Sequence, residues 1–161
     1  MELVVVIALL GIITAMIVPI YSTSITRVQV GNARSDMVSV IRYVQERAVS
    51  DALEYRIFFD LGENAYWVGY GVREEDGEKR FYKMNEDLGE WQVLPPYIEI
   101  EGVKARRDDE TGDEFLACYP NGSCDEVELN FRDNRSIDRT FRLRTVGVLG
   151  AIEVKSNDFN W

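Results

Sequence analysis

The sequence predicts an α+β protein in which a long, hydrophobic N-terminal α-helix packs on a globular domain built as an antiparallel β-sheet. Three observations lead to this prediction. Residues 3–18 form an almost unbroken apolar run. Residues 20–53 repeat apolar positions every three or four residues, as one face of a helix does. From residue 54 the apolar period becomes two, and clusters of Gly, Asp and Asn separate short segments, as turns separate strands.

The apolar run at residues 3–18 fits none of three common N-terminal segments. A secretory signal would begin with basic residues and end at a small-x-small cleavage site, but no such site precedes Pro19. As a helix rising ~1.5 Å per residue, the run spans about 24 Å, which is marginal for a hydrocarbon core of ~30 Å. It also lacks the polar stripe of a helix buried in a soluble core.

The acid at Glu2 is the residue that these three interpretations leave unexplained. A carboxylate beside apolar surroundings is unfavourable unless a cation meets it, and this chain has no cation before Arg27. We therefore expect either a partner for Glu2 outside this chain or a position among the lipid headgroups.

Glu2, the apolar run, Gly11 and Pro19 together resemble the start of mature type IV pilins and type II secretion pseudopilins. That family begins Phe-Thr-Leu-(Ile/Met)-Glu, continues as an apolar helix, and has a proline 17 residues after the glutamate, as here. The resemblance implies that Glu2 is the filament-assembly residue, which pairs with the N-terminal amine of a neighbouring subunit. It also implies that the helix kinks or stretches at Gly11 and Pro19, residue types that weaken a helix by ~1 and ~3 kcal/mol relative to alanine.

The part of that family's sequence that precedes the match has no counterpart before Met1. It comprises a basic leader, a glycine cleavage site and three mature residues. We expect either that Met1 is an internal methionine of a longer gene product or that the chain was shortened by engineering. In the full-length precursor, the resemblance implies cleavage by prepilin peptidase and methylation of the new N-terminus.

Residues 20–53 predict the continuation of the same helix, to a total of about 50 residues or ~75 Å. A local interruption would fall at Gly31-Asn32. The apolar face consists of six residues, Val30, Ala33, Met37, Ile41, Val44 and Ala48. We accordingly expect a transmembrane or filament-core half of the helix at residues 1–21, an amphipathic half at 22–53 and a periplasmic β-rich domain at 54–161.

The β-rich part is predicted to form one antiparallel sheet system wrapped on the helix. Residues 61–64 are predicted to form the turn of a first hairpin. The expected strands lie at residues 55–60, 65–71, 79–84, 97–101, 115–119, 126–131, 139–145 and 151–155.

Short motifs in this half resemble the GspH/FimT group of minor pseudopilins. They are Trp91-Gln-Val-Leu-Pro95 followed by Ile98-Glu-Ile100, then Tyr119-Pro-Asn-Gly-Ser123, then a strand pair through Thr145 and Ile152. Residues 106–114 and 156–161 have no counterpart in that group.

The two resemblances imply a structural subunit, a minor pseudopilin, of a type II secretion pseudopilus that exports protein across the outer membrane. The implied location is the bacterial inner membrane, crossed once, with the globular domain in the periplasm. The implied partners are other pseudopilins or pilins, an inner-membrane assembly platform, prepilin peptidase and the lipid bilayer. The alternative is a minor pilin of a type IV pilus, acting in pilus assembly, adhesion or DNA uptake.

Two cysteines, Cys118 and Cys124, flank a Pro-Asn-Gly turn. A hairpin there would bring their Cβ atoms toward the ~3.5–4.5 Å of a disulfide. A translocated domain would lie in an oxidising compartment, which favours the bond, and two unbonded thiols are the alternative. The spacing is not that of a Cys-x-x-Cys redox centre.

Two charged segments are candidate binding sites. Residues 108–114 are rich in carboxylates, but their spacing departs from that of a calcium loop, so a solvated loop is favoured. The basic concentration comprises Arg132, Arg135, Arg139, Arg142 and Arg144. Asp133 and Asp138 interleave with these arginines and the chain carries a net charge of −10, so we expect pairing with acids on adjacent strands rather than nucleic-acid binding.

No enzymatic site is predicted. The chain has no histidine, the commonest general base and metal ligand, and no nucleophile elbow or phosphate-binding loop. We therefore expect neither a metal nor a cofactor.

Overall fold

A single long helix opens the chain. The computed structural model describes residues 2–85, 87–109, 111–135, 139–147 and 150–156, and within the helix the side chains of residues 3–7, 9–13 and 28–51. The helix, α1, spans Glu2–Asp51 and is 50 residues long, as the sequence predicts. It runs through Gly31 without interruption. It ends where Ala52 adopts a φ of 54°, the left-handed conformation that commonly terminates helices.

In the described residues ten strands follow the helix, two more than predicted. The additional strands, β4 and β6, are two residues each, too short for an alternating pattern to reveal. A 3₁₀ turn at Asp87–Gly89 lies between β3 and β4. The strands are β1 Glu54–Asp60, β2 Ala65–Arg73, β3 Lys79–Lys83, β4 Gln92–Val93, β5 Ile98–Lys104, β6 Arg106–Arg107, β7 Glu114–Cys118, β8 Glu128–Asp133, β9 Thr140–Val146 and β10 Ala151–Ser156.

The strands form two antiparallel sheets, which confirms the α+β class and corrects the expectation of one sheet. The six-stranded sheet has the order β3-β2-β1-β7-β6, with β4 also paired to β2. The four-stranded sheet has the order β10-β9-β8-β5. The chain crosses between the sheets three times, after β4, after β5 and after β7, and these long-range connections leave no local pattern in the sequence.

The core lies between α1 and the inner faces of both sheets. All six residues of the predicted apolar helix face are buried, from Val30 to Ala48. They pack against alternate residues of the strands, such as Ile57 and Leu116 from one sheet and Leu129 from the other. Each fully buried aliphatic side chain stabilises the fold by about 1.5–3 kcal/mol, so this face holds the helix on the body.

Asn64 joins the two sheets. It lies in the β1–β2 turn with a φ of 51°, and its carbonyl accepts a hydrogen bond from the Leu94 amide at 3.0 Å. Its side chain donates to the Ile98 carbonyl at 2.6 Å and accepts from the Ile100 amide at 2.9 Å. The Asn64 side chain thus makes with β5 the two hydrogen bonds that the backbone of a neighbouring strand would make. The sequence predicts the turn but not this bridge.

In the part of the chain that the structure describes, no helix combines the length and the apolarity needed to cross a membrane.

Candidate functional site

The N-terminal part of α1 exposes a continuous apolar surface. Every large apolar side chain described between Leu3 and Ile13 has 51–73% of its surface exposed. The buried side chains described on this helix begin only at Val30. Contiguous exposed apolar surface of this kind marks a protein or membrane interface. We call the exposed segment at residues 3–13 the apolar arm.

The three predicted assembly residues, Glu2, Gly11 and Pro19, lie on the helix that carries this arm. The side chains of Glu2 and Pro19 lie outside the described residues, so their roles stay predictions. A Cβ atom added at Gly11 would meet nothing within 4 Å. Packing within this chain therefore does not require glycine there, and its predicted role in kinking or stretching the helix also stays a prediction.

An arginine clamp fastens α1 to the body where the helix meets the globular domain. The Arg135 guanidinium donates to the Gln29 side-chain oxygen at 2.5 Å and to the Asp133 carboxylate at 2.9 Å, and lies 4.2 Å from the Tyr97 ring centroid. The Asp133 side chain is fully buried. Because a buried carboxylate needs a cation, Arg135 serves the fold here and is not available to a nucleic acid.

The predicted disulfide between Cys118 and Cys124 is confirmed. Its loop rests on α1, because the Gln45 side chain donates to the Gly122 carbonyl at 2.8 Å. The turn between β9 and β10 lies against it, with so little room that a Cβ atom at Gly150 would approach the Cys124 Cβ to 3.0 Å. The disulfide loop, which begins in β7 of the six-stranded sheet, therefore contacts the helix and lies beside the start of β10 in the four-stranded sheet.

Three of the other predicted arginines, Arg132, Arg142 and Arg144, lie beside acids as expected, and the acids of the first two are on neighbouring strands. Arg132 pairs with Glu101, and Arg144 lies 3.8 Å from Glu126. Arg142 lies 3.5 Å from the Glu128 carboxylate. The hydrogen bond that Lys104 donates to Glu128 at 3.1 Å, together with the nearby arginine, holds the pKa of that carboxyl below its usual value.

The acidic loop at residues 108–114 is the turn between β6 and β7. The Asp108 carboxylate accepts a hydrogen bond from the Arg56 guanidinium at 3.1 Å and another from the Thr111 amide at 3.2 Å. Glu110 lies outside the described residues. Among the residues that are described, no group of three or more acids or cysteines is arranged to hold a metal ion.

The sequence did not reveal a second hydrophobic cluster on the outer face of the six-stranded sheet. Phe58, Trp67 and Phe115 are buried there, with Phe58 stacked on Trp67 at 4.2 Å between ring centroids. A Cβ atom at Gly69 would lie 2.9 Å from the Trp67 ring, so glycine leaves room for this layer. The available signal was in β2, where Trp67, Gly69 and Gly71 occupy alternate positions.

Arg56 closes this outer cluster. Its guanidinium lies 3.6 Å from the centroid of the Phe81 ring and 4.0 Å from that of Phe115, and it pairs with the Glu54 carboxylate at 2.9 Å. At the edge of the cluster, burial raises the pKa of Tyr119, and the hydrogen bond it donates to Asp125 at 2.9 Å raises it further. Arg56 and Tyr119 thus have their polar partners within the chain, and the cluster packs as part of the fold.

Comparisons with known proteins bear on the fold. No protein-family model and no curated protein matches the chain. Two solved structures of the minor pseudopilin EpsH from the type 2 secretion system of Vibrio cholerae do match. One is 11% identical with a TM-score of 0.56, covering 80% of this chain and 96% of its own. The other is 10% identical with a TM-score of 0.55, covering 77% and 93%. The chain therefore has the pseudopilin-like fold that its N-terminal sequence predicts, and membership of the GspH/FimT group is consistent with that fold.

Proposed function

We propose that this chain is a non-enzymatic structural subunit, a minor pseudopilin of a type II secretion pseudopilus. The observation that carries the proposal is the apolar arm, presented at one end of a helix whose other end packs on a pseudopilin-like body. Nine large apolar side chains of the arm are more than half exposed. Covering them would contribute on the order of 10 kcal/mol, so another apolar phase or another subunit has to surround the arm.

The proposed environments of the arm are the lipid bilayer before assembly and neighbouring pseudopilins after it. In this scheme residues 1–21 form the membrane or filament-core half of the helix, residues 22–53 its amphipathic half, and residues 54–161 a domain in the periplasm. The inner-membrane location rests on the sequence and on the fold likeness. The inner-membrane assembly platform would move the subunit from the bilayer into the filament.

The proposed role of Glu2 is to pair with the N-terminal amine of the next subunit. An unpaired carboxylate in an apolar helix bundle is strongly unfavourable, and a cation supplied by a neighbour removes that penalty only in the correct register. Gly11 and Pro19 would let the helix stretch or kink as the subunits adjust. Prepilin peptidase would act on the full-length precursor before this step.

The test uses the full-length gene, with its upstream codons, in its own host. We expect cleavage three residues before Met1, an N-methylated amine by mass spectrometry, and secreted protein in the medium. Glu2→Ala should leave processing intact but abolish secretion and cross-linking to other pseudopilins. Glu99→Ala, which removes the same carboxylate from an exposed strand position, is the matched control and should secrete normally.

Two results would overturn the proposal in different ways. An uncleaved N-terminus together with normal secretion by Glu2→Ala would remove the pseudopilin assignment altogether. If Glu2→Ala secretes normally but lacks surface pili, the chain is a minor pilin of a type IV pilus and not a pseudopilin.

A further inference from the structure

The outer face of the four-stranded sheet carries its charges in transverse rows, one residue from each strand. In the first row Glu153 lies opposite Arg144, Arg144 opposite Glu128, and Glu128 opposite Lys104. Acid and base alternate across all four strands. Opposite charges placed directly across a sheet are stabilising, and every charge in this row has an opposite charge on the neighbouring strand.

The adjacent row breaks that alternation. It runs Lys155, Arg142, Asn130, Gly102, again one residue from each strand. Two cations lie directly opposite each other, which is an unfavourable pairing, and the row contains no carboxylate. The Arg142 Nε donates to the Asn130 side-chain oxygen at 2.8 Å. No carboxylate of the described residues pairs with Lys155.

An open cleft of about 410 Å³ lies over this second row. Glu101 and Thr140 complete its rim. The pairing register shifts between Ile100 and Gly102, and a Cβ atom on Gly102 would meet nothing within 4 Å, so the absence of a side chain keeps that end of the cleft open. The Glu101 carboxylate is neutralised by Arg132, and Arg142 shares the Glu128 carboxylate with Lys104, so the cleft floor keeps the positive charge of Lys155 and part of that of Arg142.

We propose that this cleft binds a carboxylate side chain from an acidic segment of a partner protein. A carboxylate set between Lys155 and Arg142 would restore the alternation that the first row shows. Arginine donates two parallel hydrogen bonds to a planar carboxylate, and the Lys155 ammonium, directly opposite Arg142, is a second donor. The proposal rests on the sheet alone and is independent of the proposed function.

A carboxylate fits this cleft better than a polyanion does. Glu101 and Glu128 border the row, and the chain as a whole carries −10, so an extended polyanion would meet more repulsion around the two cations than a single carboxylate does. A single acidic side chain instead inserts its one charge between them. The expected interaction is weak and specific, as for an accessory contact within a larger interface.

The experiment titrates the full chain, in micelles of a neutral detergent, with the probe acetyl-Glu-Ser-Glu-amide and follows backbone amide shifts by NMR. Saturable shifts should centre on Gly102, Asn130, Arg142 and Lys155. Lys155→Gln should weaken binding about fivefold, the effect of one exposed ion pair. Lys155→Glu, which completes the row from within, should abolish binding while the protein stays folded. Lys83→Gln makes the same charge change on the other sheet and should leave binding unaltered.

Three outcomes would overturn the proposal. The probe acetyl-Gln-Ser-Gln-amide could bind as well as the acidic probe, which would exclude recognition of the carboxylate. Inorganic phosphate could produce the same shifts at lower concentration, which would make the cleft a general anion site. Finally, the intact chain could fail to bind while Asp158→Asn binds, which would show that the chain's own C-terminal segment fills the row.

Discussion

The two sheets give similar inner faces to the core but opposite outer faces to their surroundings. On the six-stranded sheet the outer face is a second hydrophobic layer, in which Phe58 and Trp67 are buried beneath Arg56. On the four-stranded sheet the outer face is charged from strand to strand, and Arg142 keeps about half of its side-chain surface exposed. The six-stranded sheet thus buries apolar residues on both faces, whereas the four-stranded sheet has one face in solvent.

This difference decides what a charged residue contributes in each sheet. The ion pairs of Arg56 are largely withdrawn from water, so removing the arginine takes a cation away from Asp108 and leaves Lys79 as the cation beside Glu54, in a poorly solvated place. The pairs of Arg132 and Arg142 stand in solvent, where each contributes little to stability. The charges around Arg56 therefore hold the fold, while those on the outer face of the four-stranded sheet are available for recognition.

The largest effect is expected from removing the outer hydrophobic layer. Phe58→Ala should lower the free energy of unfolding by about 4 kcal/mol, because it leaves a cavity beside Trp67 in a closely packed cluster. Arg142→Ala, on the solvated face, should change it by less than about 1 kcal/mol. Urea unfolding in detergent micelles, followed by tryptophan fluorescence, measures both. Equal losses would show that the two outer faces do not differ in this way.

The next effect concerns the arginine that closes the layer. Arg56→Met should cost about 3 kcal/mol, because Glu54 and Asp108 lose their shared cation within a mostly buried cluster. The same replacement at Arg132, whose pair with Glu101 is exposed, should cost less than about 1 kcal/mol. The comparison fails if Arg132→Met proves as destabilising as Arg56→Met in the same unfolding experiment.

The disulfide should have an effect of about 2 kcal/mol, as expected for a short closed loop. Replacing both Cys118 and Cys124 by serine should produce that loss. Hydrogen exchange should also rise around Gly122 and Gly150, which the bond holds against α1 and the second sheet. Dithiothreitol provides the control, since it should destabilise the parent chain and leave the double variant unchanged. An increase in hydrogen exchange confined to β7 would show that the disulfide does not stabilise the contacts of the loop with α1 and the second sheet.

The smallest effect is a pH dependence on the solvated face. The pKa of Glu128 is lowered from its ordinary value of 4.5 in the folded state, chiefly by the hydrogen bond from Lys104. Its contribution to stability is therefore complete above pH 4.5 and is lost as the pH falls through the lower folded value. Glu128→Gln should remove this part of the acid sensitivity, whereas Glu63→Gln, in the exposed β1–β2 turn, should retain it. Identical pH profiles for the parent and Glu128→Gln would contradict the prediction.

The sequence predicted the local features of the fold well. The spacing of apolar residues identified the whole buried face of α1, and the turn residues located the first hairpin and the disulfide loop. These features depend on residues that are close together in the chain. Pairing of the arginines with acids also followed from Asp133 and Asp138, which interleave with them, and from the acidity of the chain.

The features that the sequence did not reveal depend on distant residues. The separation into two sheets arises because β7 returns to β1, whereas β8 pairs with β5. Asn64 was recognised as a turn residue, but its role as a bridge requires β5 to lie beside it. The aromatic layer around Arg56 needs four strands to come together. The assembly roles of Glu2, Gly11 and Pro19 concern neighbouring molecules and stay predictions.

The way α1 is fastened to the body has a mechanical consequence. The interlocked side chains from Val30 to Ala48 extend over about 27 Å of the helix axis. A pull along the axis shears all of these contacts at once, so they share the load. A sideways force instead separates these contacts one after another, beginning at the Gln29 end. The hydrogen bond between Arg135 and Gln29 is then the first contact to be loaded. The joint is thus strong under axial tension and weaker under bending.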